Sequence, residues 1–267
     1  MQRQMRARTY LMCSPAHFTI SYAINPWMTG DEPVDHARAQ RQWQALADTY
    51  RSLGHEVRLI DPVPGLPDMV FAANGATVIG RTVLGARFRH AERAGEAPAY
   101  LSWLRAEGYA VHEPRQPNEG QGDIVVAGTT ILAGHGFRTE PSVRDDLEQI
   151  FGMPVVSLRL VDPRYYHLDT ALVVLGPGTA AYYPAAFDDA ATAALGSVFT
   201  ELIEAKNENT KILKLNAVND GHHIMLPAET DNLTRQLATH RFEPVAVEMS
   251  EFHKTGDGPK CCTLELR

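Results

Sequence analysis

Apolar and polar positions alternate along this chain in two rhythms. Between residues 34 and 53, Ala37, Trp43, Leu46, Ala47, Tyr50 and Leu53 recur at the spacing of one helical face. Gly54 ends that pattern, because a helix stops readily on a residue that accepts a left-handed backbone. Residues 55–60 then read as a strand. The order returns as helix 98–107, Gly108 and strand 109–112, then as helix 142–151, Gly152 and strand 154–160. Residues 186–205 and 228–240 predict two more helices, leading to strands at 211–215 and 243–248. Between these pairs lie short apolar runs split by turn residues: 69–79 with 81–84, 124–126 with 129–133, and 171–175 with 179–183. The chain thus reads strand, strand, helix, strand about five times, in units of roughly 50 residues. A closed array of small sheets and a doubly wound α/β sheet both produce this alternation. No low-complexity linker divides it, so residues 1–267 are expected to form one domain.

Composition narrows the function. Lys and Arg number 25 against 32 Asp and Glu, a formal charge of −7, which argues against a nucleic-acid partner. No apolar run reaches the roughly 18 residues of a membrane span. The basic start is followed by too short an apolar stretch for a signal peptide, so a cytoplasmic location without membrane partner is expected. The three cysteines, Cys13, Cys261 and Cys262, are odd in number and match neither a zinc nor a disulfide spacing. At least one thiol is free, as a reducing compartment allows. A homo-oligomer is compatible with the sequence.

Several residues can carry chemistry. Cys261 and Cys262 follow Thr255-Gly256-Asp257-Gly258-Pro259, which cannot be regular structure. Read as the opening of a strand, they point to opposite faces, so one thiol can face a cavity while the other packs. Either is a nucleophile or a small buried hydrophobe. His167 and Asp169, two apart at a strand opening, would share a face as an acid–base and cation-anchoring pair. Glu119-Gly120-Gln121-Gly122-Asp123 puts two carboxylates on a glycine-rich turn able to enter a cleft. Asn74 ends an apolar run, although Asn-Gly is also a hairpin signal. Asn25 lies in a Pro-bounded aromatic loop, residues 21–28, that lines a pocket or caps a core. Arg87, Arg89, Arg93 and Arg138 are scattered and expected in solvent. His222 and His223 are adjacent, an arrangement that does not readily serve one tetrahedral metal.

Taken together and in chain order, these motifs resemble the guanidino-group-modifying superfamily of arginine deiminases, dimethylarginine dimethylaminohydrolases, amidinotransferases and arginine dihydrolases. The resemblance rests on Tyr22-Ala-Ile-Asn-Pro-Trp-Met28, Val70-Phe-Ala-Ala-Asn-Gly75, Glu119 to Asp123, His167-Leu-Asp169 and the ending from Cys261. It implies a five-bladed α/β propeller of ββαβ modules around a polar channel, and neither metal nor organic cofactor. It assigns Cys261 as nucleophile, His167 as acid and base, Glu119 as its orienting partner and Asp169 as the guanidinium anchor, with Cys262 packed away. Arg87 and Arg138 are implied to hold the α-carboxylate of a small guanidino substrate, with Asn25, Asn74 and Asp123 also lining its site.

A guanidinium is delocalised and charged at every accessible pH, so its carbon resists water and calls for a strong nucleophile beside fixed anions. Since a free thiol has a pKa near ~8.5, the cationic substrate itself is expected to favour the thiolate. Position 74 departs from the acidic residue of deiminases and dimethylargininases. Its amide and the Ile-Asn-Pro-Trp loop favour the dihydrolase branch, arginine to ornithine, CO2 and ammonia. Hydrolysis of methylarginine to citrulline and methylamine is the alternative, followed by amidino transfer and by a non-catalytic arginine-binding module.

Overall fold

The computed structural model describes residues 3–205, 213–228 and 231–266. Strand β1 (Thr9–Cys13) leads through helix α1 (His36–Ser52) to β2 (Glu56–Ile60), which pairs with it in parallel. Strands β3 (Ala76–Ile79) and β4 (Thr82–Gly85) form an antiparallel hairpin, and α2 (Glu96–Ala106) crosses to β5 (Ala110–His112), parallel to β4. The same order recurs in β6 (Ile124–Ala127), β7 (Thr130–His135), α3 (Val143–Phe151) and β8 (Val155–Arg159). One helical turn, α4 (Leu168–Ala171), precedes β9 (Leu172–Gly176), β10 (Thr179–Tyr182), α5 (Asp189–Val198) and β11 (Glu201–Glu204). The fifth module is β12 (Val218–Asn219), β13 (His223–Pro227), α6 (Asp231–Thr239) and β14 (Glu243–Val247). After α7 (Ser250–His253), β15 (Leu264–Leu266) runs antiparallel to β1, with Thr9 opposite Leu266 and Leu11 opposite Leu264. The strand nearest the C-terminus therefore supplies the first module's missing member.

Local chemistry accounts for this pattern. A parallel pair needs a long crossover, and each module uses one helix for it. In α1 the Asp35 carboxylate caps the start by accepting from the Arg38 backbone N–H at 2.9 Å, while Ala39, Trp43, Leu46, Ala47 and Tyr50 form the buried face. Gly80 and Gly128 take φ of 61° and 63° in the tight turns of two hairpins, a backbone that side chains resist. Among the described residues the strands form five separate three-stranded sheets rather than a single doubly wound sheet. Module follows module in space as in sequence: β15 touches β3, β6 touches β9, and β9 touches β12. Val218 of β12 closes the order by packing in one apolar cluster with Tyr10 and Met12 of β1.

Four elements differ from the sequence reading. Residues 186–205 are not one helix: α5 stops at Val198, and β11 pairs with β10 in parallel, a partner that overrides the alanine-rich helical pattern. Of the expected strand 211–215, Lys211 and Ile212 lie outside the described residues, and the rest turns into β12. The polar opening of β9 is the helical turn α4 rather than extended chain, so alternation does not align His167 with Asp169. Cys261 and Cys262 likewise occupy a turn, held by Cys262 N–H to Gly258 O and Thr263 N–H to Lys260 O, and β15 begins only at Leu264.

Candidate active site

Polar side chains gather where the modules begin. Asn74 stands two residues before β3, Glu119 five before β6, His167 five before β9, Asn216 two before β12 and Cys261 three before β15. All five are fully buried. The segment two to five residues ahead of a strand thus delivers the amide, acid, imidazole, second amide and thiol.

Asn216 shapes the cysteine turn. Its Oδ1 accepts from the backbone N–H groups of Lys260 (2.9 Å) and Cys261 (3.1 Å), and its Nδ2 lies 2.9 Å from Sγ. The thiol in turn donates to Asp169, 3.4 Å from Oδ2, and Asp257 is a further hydrogen-bond partner. Burial pushes the Cys261 thiol well above its ordinary range, and the charges of Asp169 and Asp257 push the same way. The folded surroundings thus favour the S–H form of Cys261 over the thiolate.

His167 Nε2 lies 2.7 Å from Glu119 Oε2. Burial favours the neutral imidazole, but Asp123 and Glu119 outweigh it and raise the His167 pKa. Its Nδ1 is buried without a hydrogen-bond partner. Asp123 fixes the approach to the ring: its Oδ1 accepts from the Leu168 backbone N–H at 3.0 Å and its Oδ2 from Thr139 Oγ1 at 2.6 Å. Glu119 is held far below the carboxylate range, since Arg138, His167 and Arg93 together overcome its burial. Arg138 Nη1 donates to both Glu119 oxygens, at 3.2 and 3.0 Å.

Behind Asn74 lies a second charged layer. Arg93 donates to Asn74 Oδ1 at 2.9 Å and to both Glu96 oxygens at 2.8 Å, with Asp68 3.8 Å away. Asn74 Nδ2 is buried and unpartnered. This cluster holds more acids than guanidiniums: Asp68, Glu96, Glu119, Asp123, Asp169 and Asp257 are buried beside Arg93 and Arg138, with Lys260 a further cation acting on Asp169. Burial accordingly pushes Asp68 and Asp169 up to about 7 and raises Glu96, Asp123 and Asp257. Such a cluster is complementary to a planar cation.

The 21–28 loop covers this cluster. Arg138 Nη2 donates to Ile24 O at 3.1 Å, Asn25 Nδ2 to Thr255 O at 3.0 Å and Trp27 Nε1 to Arg164 O at 2.9 Å. Trp27 packs against Gly256, where any Cβ would strike the indole. On its other side Trp27 lines a cavity of about 570 Å³ with Pro26, Met249 and His253.

The fold brings Cys261, His167, Glu119, Asp169, Asn74 and Asp123 together. Asn25 joins them as a roof tie. Arg138 is buried and committed to Glu119 and Ile24, so an α-carboxylate reaching Nη2 has to displace Ile24 O. Arg87 is exposed and donates to Arg115 O at 2.7 Å, apart from the cluster. Arg93, expected in solvent, is buried because Glu96, Asp68 and Glu119 surround it. Sequence reasoning missed Asn216 and Asp257 as well. Asn216 could have been found by position, since it precedes β12 as Asn74 precedes β3.

The chain matches, over residues 15–267, the family described as N,N dimethylarginine dimethylhydrolase, eukaryotic. It belongs to the dimethylarginine dimethylaminohydrolase family. This places it in the guanidino-modifying hydrolase superfamily that the motifs resemble. Family members include a dimethylarginine dimethylaminohydrolase of Mycobacterium tuberculosis, 48% identical over 99% of this chain and 88% of that one. The bifunctional arginine dihydrolase/ornithine cyclodeaminase ArgZ of Synechocystis is 37% identical over 96% of this chain and 37% of its own length. A crystal structure of the ArgZ N-terminal domain, a Cys-to-Ser variant bound to substrate, superposes with a TM-score of 0.94 at 35% identity, covering 97% of this chain and 98% of that one. The order of branches inferred from Asn74 is therefore not the order of similarity: the dimethylaminohydrolase from M. tuberculosis is nearer than the dihydrolase from Synechocystis.

Proposed function

We propose that residues 1–267 form a single five-bladed α/β propeller that hydrolyses the guanidino C–N bond of a methylated arginine, releasing citrulline and an alkylamine. The observation that carries this reading is a buried thiol against Asp169, in an interior that also holds the His167–Glu119 pair and more acids than guanidiniums. Its similarity to the M. tuberculosis enzyme supports the methylated substrate. Its free, buried thiols suit a cytoplasmic setting.

In this mechanism Asp169 grips the guanidinium nitrogens and the substrate's charge offsets the carboxyls around Cys261, so the thiol proton leaves. Sγ attacks the central carbon, forming a C–S bond. His167, protonated and oriented by Glu119, gives its proton to the departing nitrogen; the C–N bond breaks and dimethylamine or methylamine leaves. The neutral imidazole next takes a proton from water as its oxygen attacks the thiouronium carbon. Collapse breaks the C–S bond and the new hydroxyl proton passes to sulfur as the thiol and citrulline form, so the one proton released over the cycle is the one the thiol gave up at the start. Asn216 acts beside the sulfur as a positioning residue.

A second reading, arginine to ornithine, CO2 and two ammonia, is favoured by Asn74. Its amide brings no countercharge, and a neutral ureido group can bind beside it for a second cycle of attack. The protein is to be incubated separately with asymmetric dimethylarginine, monomethylarginine, arginine, citrulline and agmatine, and products resolved by mass spectrometry. Dimethylamine or methylamine with citrulline is the expected result. Ornithine from arginine without alkylamine release selects the second reading, and binding without product rejects both.

A further inference from the structure

His222 and His223 were expected not to share a metal, yet the fold turns both rings toward one carboxylate. They end the turn from β12 to β13, and Glu243 opens β14 directly beside His223 in the parallel register. His222 Nε2 lies 3.3 Å from Glu243 Oε2 and His223 Nε2 lies 3.9 Å from the same oxygen. The three ligand atoms all fall within 4.8 Å of one another. A tetrahedral zinc with bonds of about 2.0–2.1 Å places its ligands about 3.3 Å apart, so small side-chain rotations complete the site.

The hydrogen bonds behind the histidines decide which nitrogens face outward. His55 Nδ1 accepts from the Arg8 backbone N–H at 3.2 Å, so its proton sits on Nε2 and is donated to Asp220 Oδ2 at 3.1 Å. His223 Nδ1 lies 2.7 Å from that same Oδ2 and must also donate. Asp220 Oδ1 accepts from the backbone N–H groups of His222 and His223, at 2.8 and 2.7 Å. With Nδ1 directed to Asp220, His223 presents its Nε2 to Glu243. A carboxylate holding the far nitrogen of an imidazole is the outer-shell arrangement of histidine metal ligands. His222 Nδ1 is itself buried without a partner.

We propose that His222, His223 and Glu243 bind a divalent transition metal ion, with zinc the best fit and one coordination position left to water. Imidazole and carboxylate donors at this spacing suit zinc and its neighbours rather than calcium or magnesium. The ion would clip the β12–β13 turn to β14. Because the Arg6 backbone N–H donates to Asp220 O at 2.9 Å, it would also steady the start of the chain. The site lies at the end of β12 away from Asn216, so its role is stability rather than turnover.

The test is a titration of the full chain carrying Cys261→Ser, which removes the reactive thiol as a competing ligand. Co2+ should give the visible bands of a four- or five-coordinate site at one equivalent, and Zn2+ should displace it. Glu243→Gln, altering an exposed side chain, and His222→Gln should each weaken binding at least about tenfold. In chains that retain Cys261, both variants should keep basal turnover, and zinc should raise the Tm of the unmodified chain but not of Glu243→Gln. Affinity unchanged in both variants overturns the proposal, as does an octahedral cobalt spectrum. A chain that binds no cobalt at a tenfold molar excess overturns it too.

Discussion

Cys261 shares its enclosure with Asp169 and Asp257, whose charges oppose its ionisation, so its reactivity is expected to depend on what else is in the site. Iodoacetamide should modify it slowly at pH 7 and faster only above the ordinary thiol range. A guanidinium ligand too small to block Sγ should accelerate the reaction; a fast ligand-free reaction at neutral pH would refute the protonated resting thiol. Cys262→Ser, by contrast, should retain turnover. Asp169 gives a second prediction. Burial raises its carboxyl to about 7 from an unfolded value near 3.9, so the folded protein binds the extra proton between these limits and loses stability as pH rises through them. Asp169→Asn should therefore be more stable than the parent at pH 8 by up to about 4 kcal/mol, with the gain vanishing near pH 4, while turnover collapses. Denaturant melts at the two pH values decide it. At this scale the motifs made Cys261, His167, Glu119 and Asp169 legible. Asp257 was hidden because a lone aspartate in a glycine run looks like loop, and Arg93 because its acids come from other segments.

The modules present their functional groups from irregular backbone just ahead of a strand. Glycines permit this. Gly120 has φ of 53°, and a Cβ there would lie 2.6–2.8 Å from backbone atoms of Ala73 and Ala76. Gly120→Ala is expected to destabilise the fold by more than about 1 kcal/mol and to lower turnover, because the displaced turn carries Glu119. Thermal melts and kcat measured together check both parts, and a variant with unchanged Tm and kcat contradicts them. The helix–strand repeat was readable because each crossover helix buries a continuous apolar face. Residues 201–204 were not readable as a strand: their identity comes from pairing with β10, which local sequence does not display. The same limit applies to the cysteine turn, whose shape is imposed by Asn216, 45 positions away.

Across the whole molecule, the pairing of β15 with β1 joins two segments at opposite ends of the sequence. Leu264, fully buried opposite Leu11, belongs to the apolar cluster that also holds Met69, Val83 and Leu104 of the second module. Leu264→Ala should lose about 2–5 kcal/mol in a denaturant melt. It should also disturb Cys261 three residues earlier, so activity should fall at temperatures where the fold remains intact. Full activity up to the melting point would mean that the strand and the thiol are uncoupled. This closure was not deducible from periodicity, because five units of the same kind satisfy an open layout equally well. The pairing of β15 with β1 and the packing of Val218 against β1 distinguish the two.

That pairing also sets an order of assembly during synthesis. Among the described residues fourteen strands precede β15, and Cys261 lies only three positions ahead of it. A nascent chain can thus form four of its modules before the proposed nucleophile has been made. With Cys261 as the proposed nucleophile, a copy cut short before it would bind ligand at most and consume none, so turnover would await the same stretch of chain that brings β15 to β1.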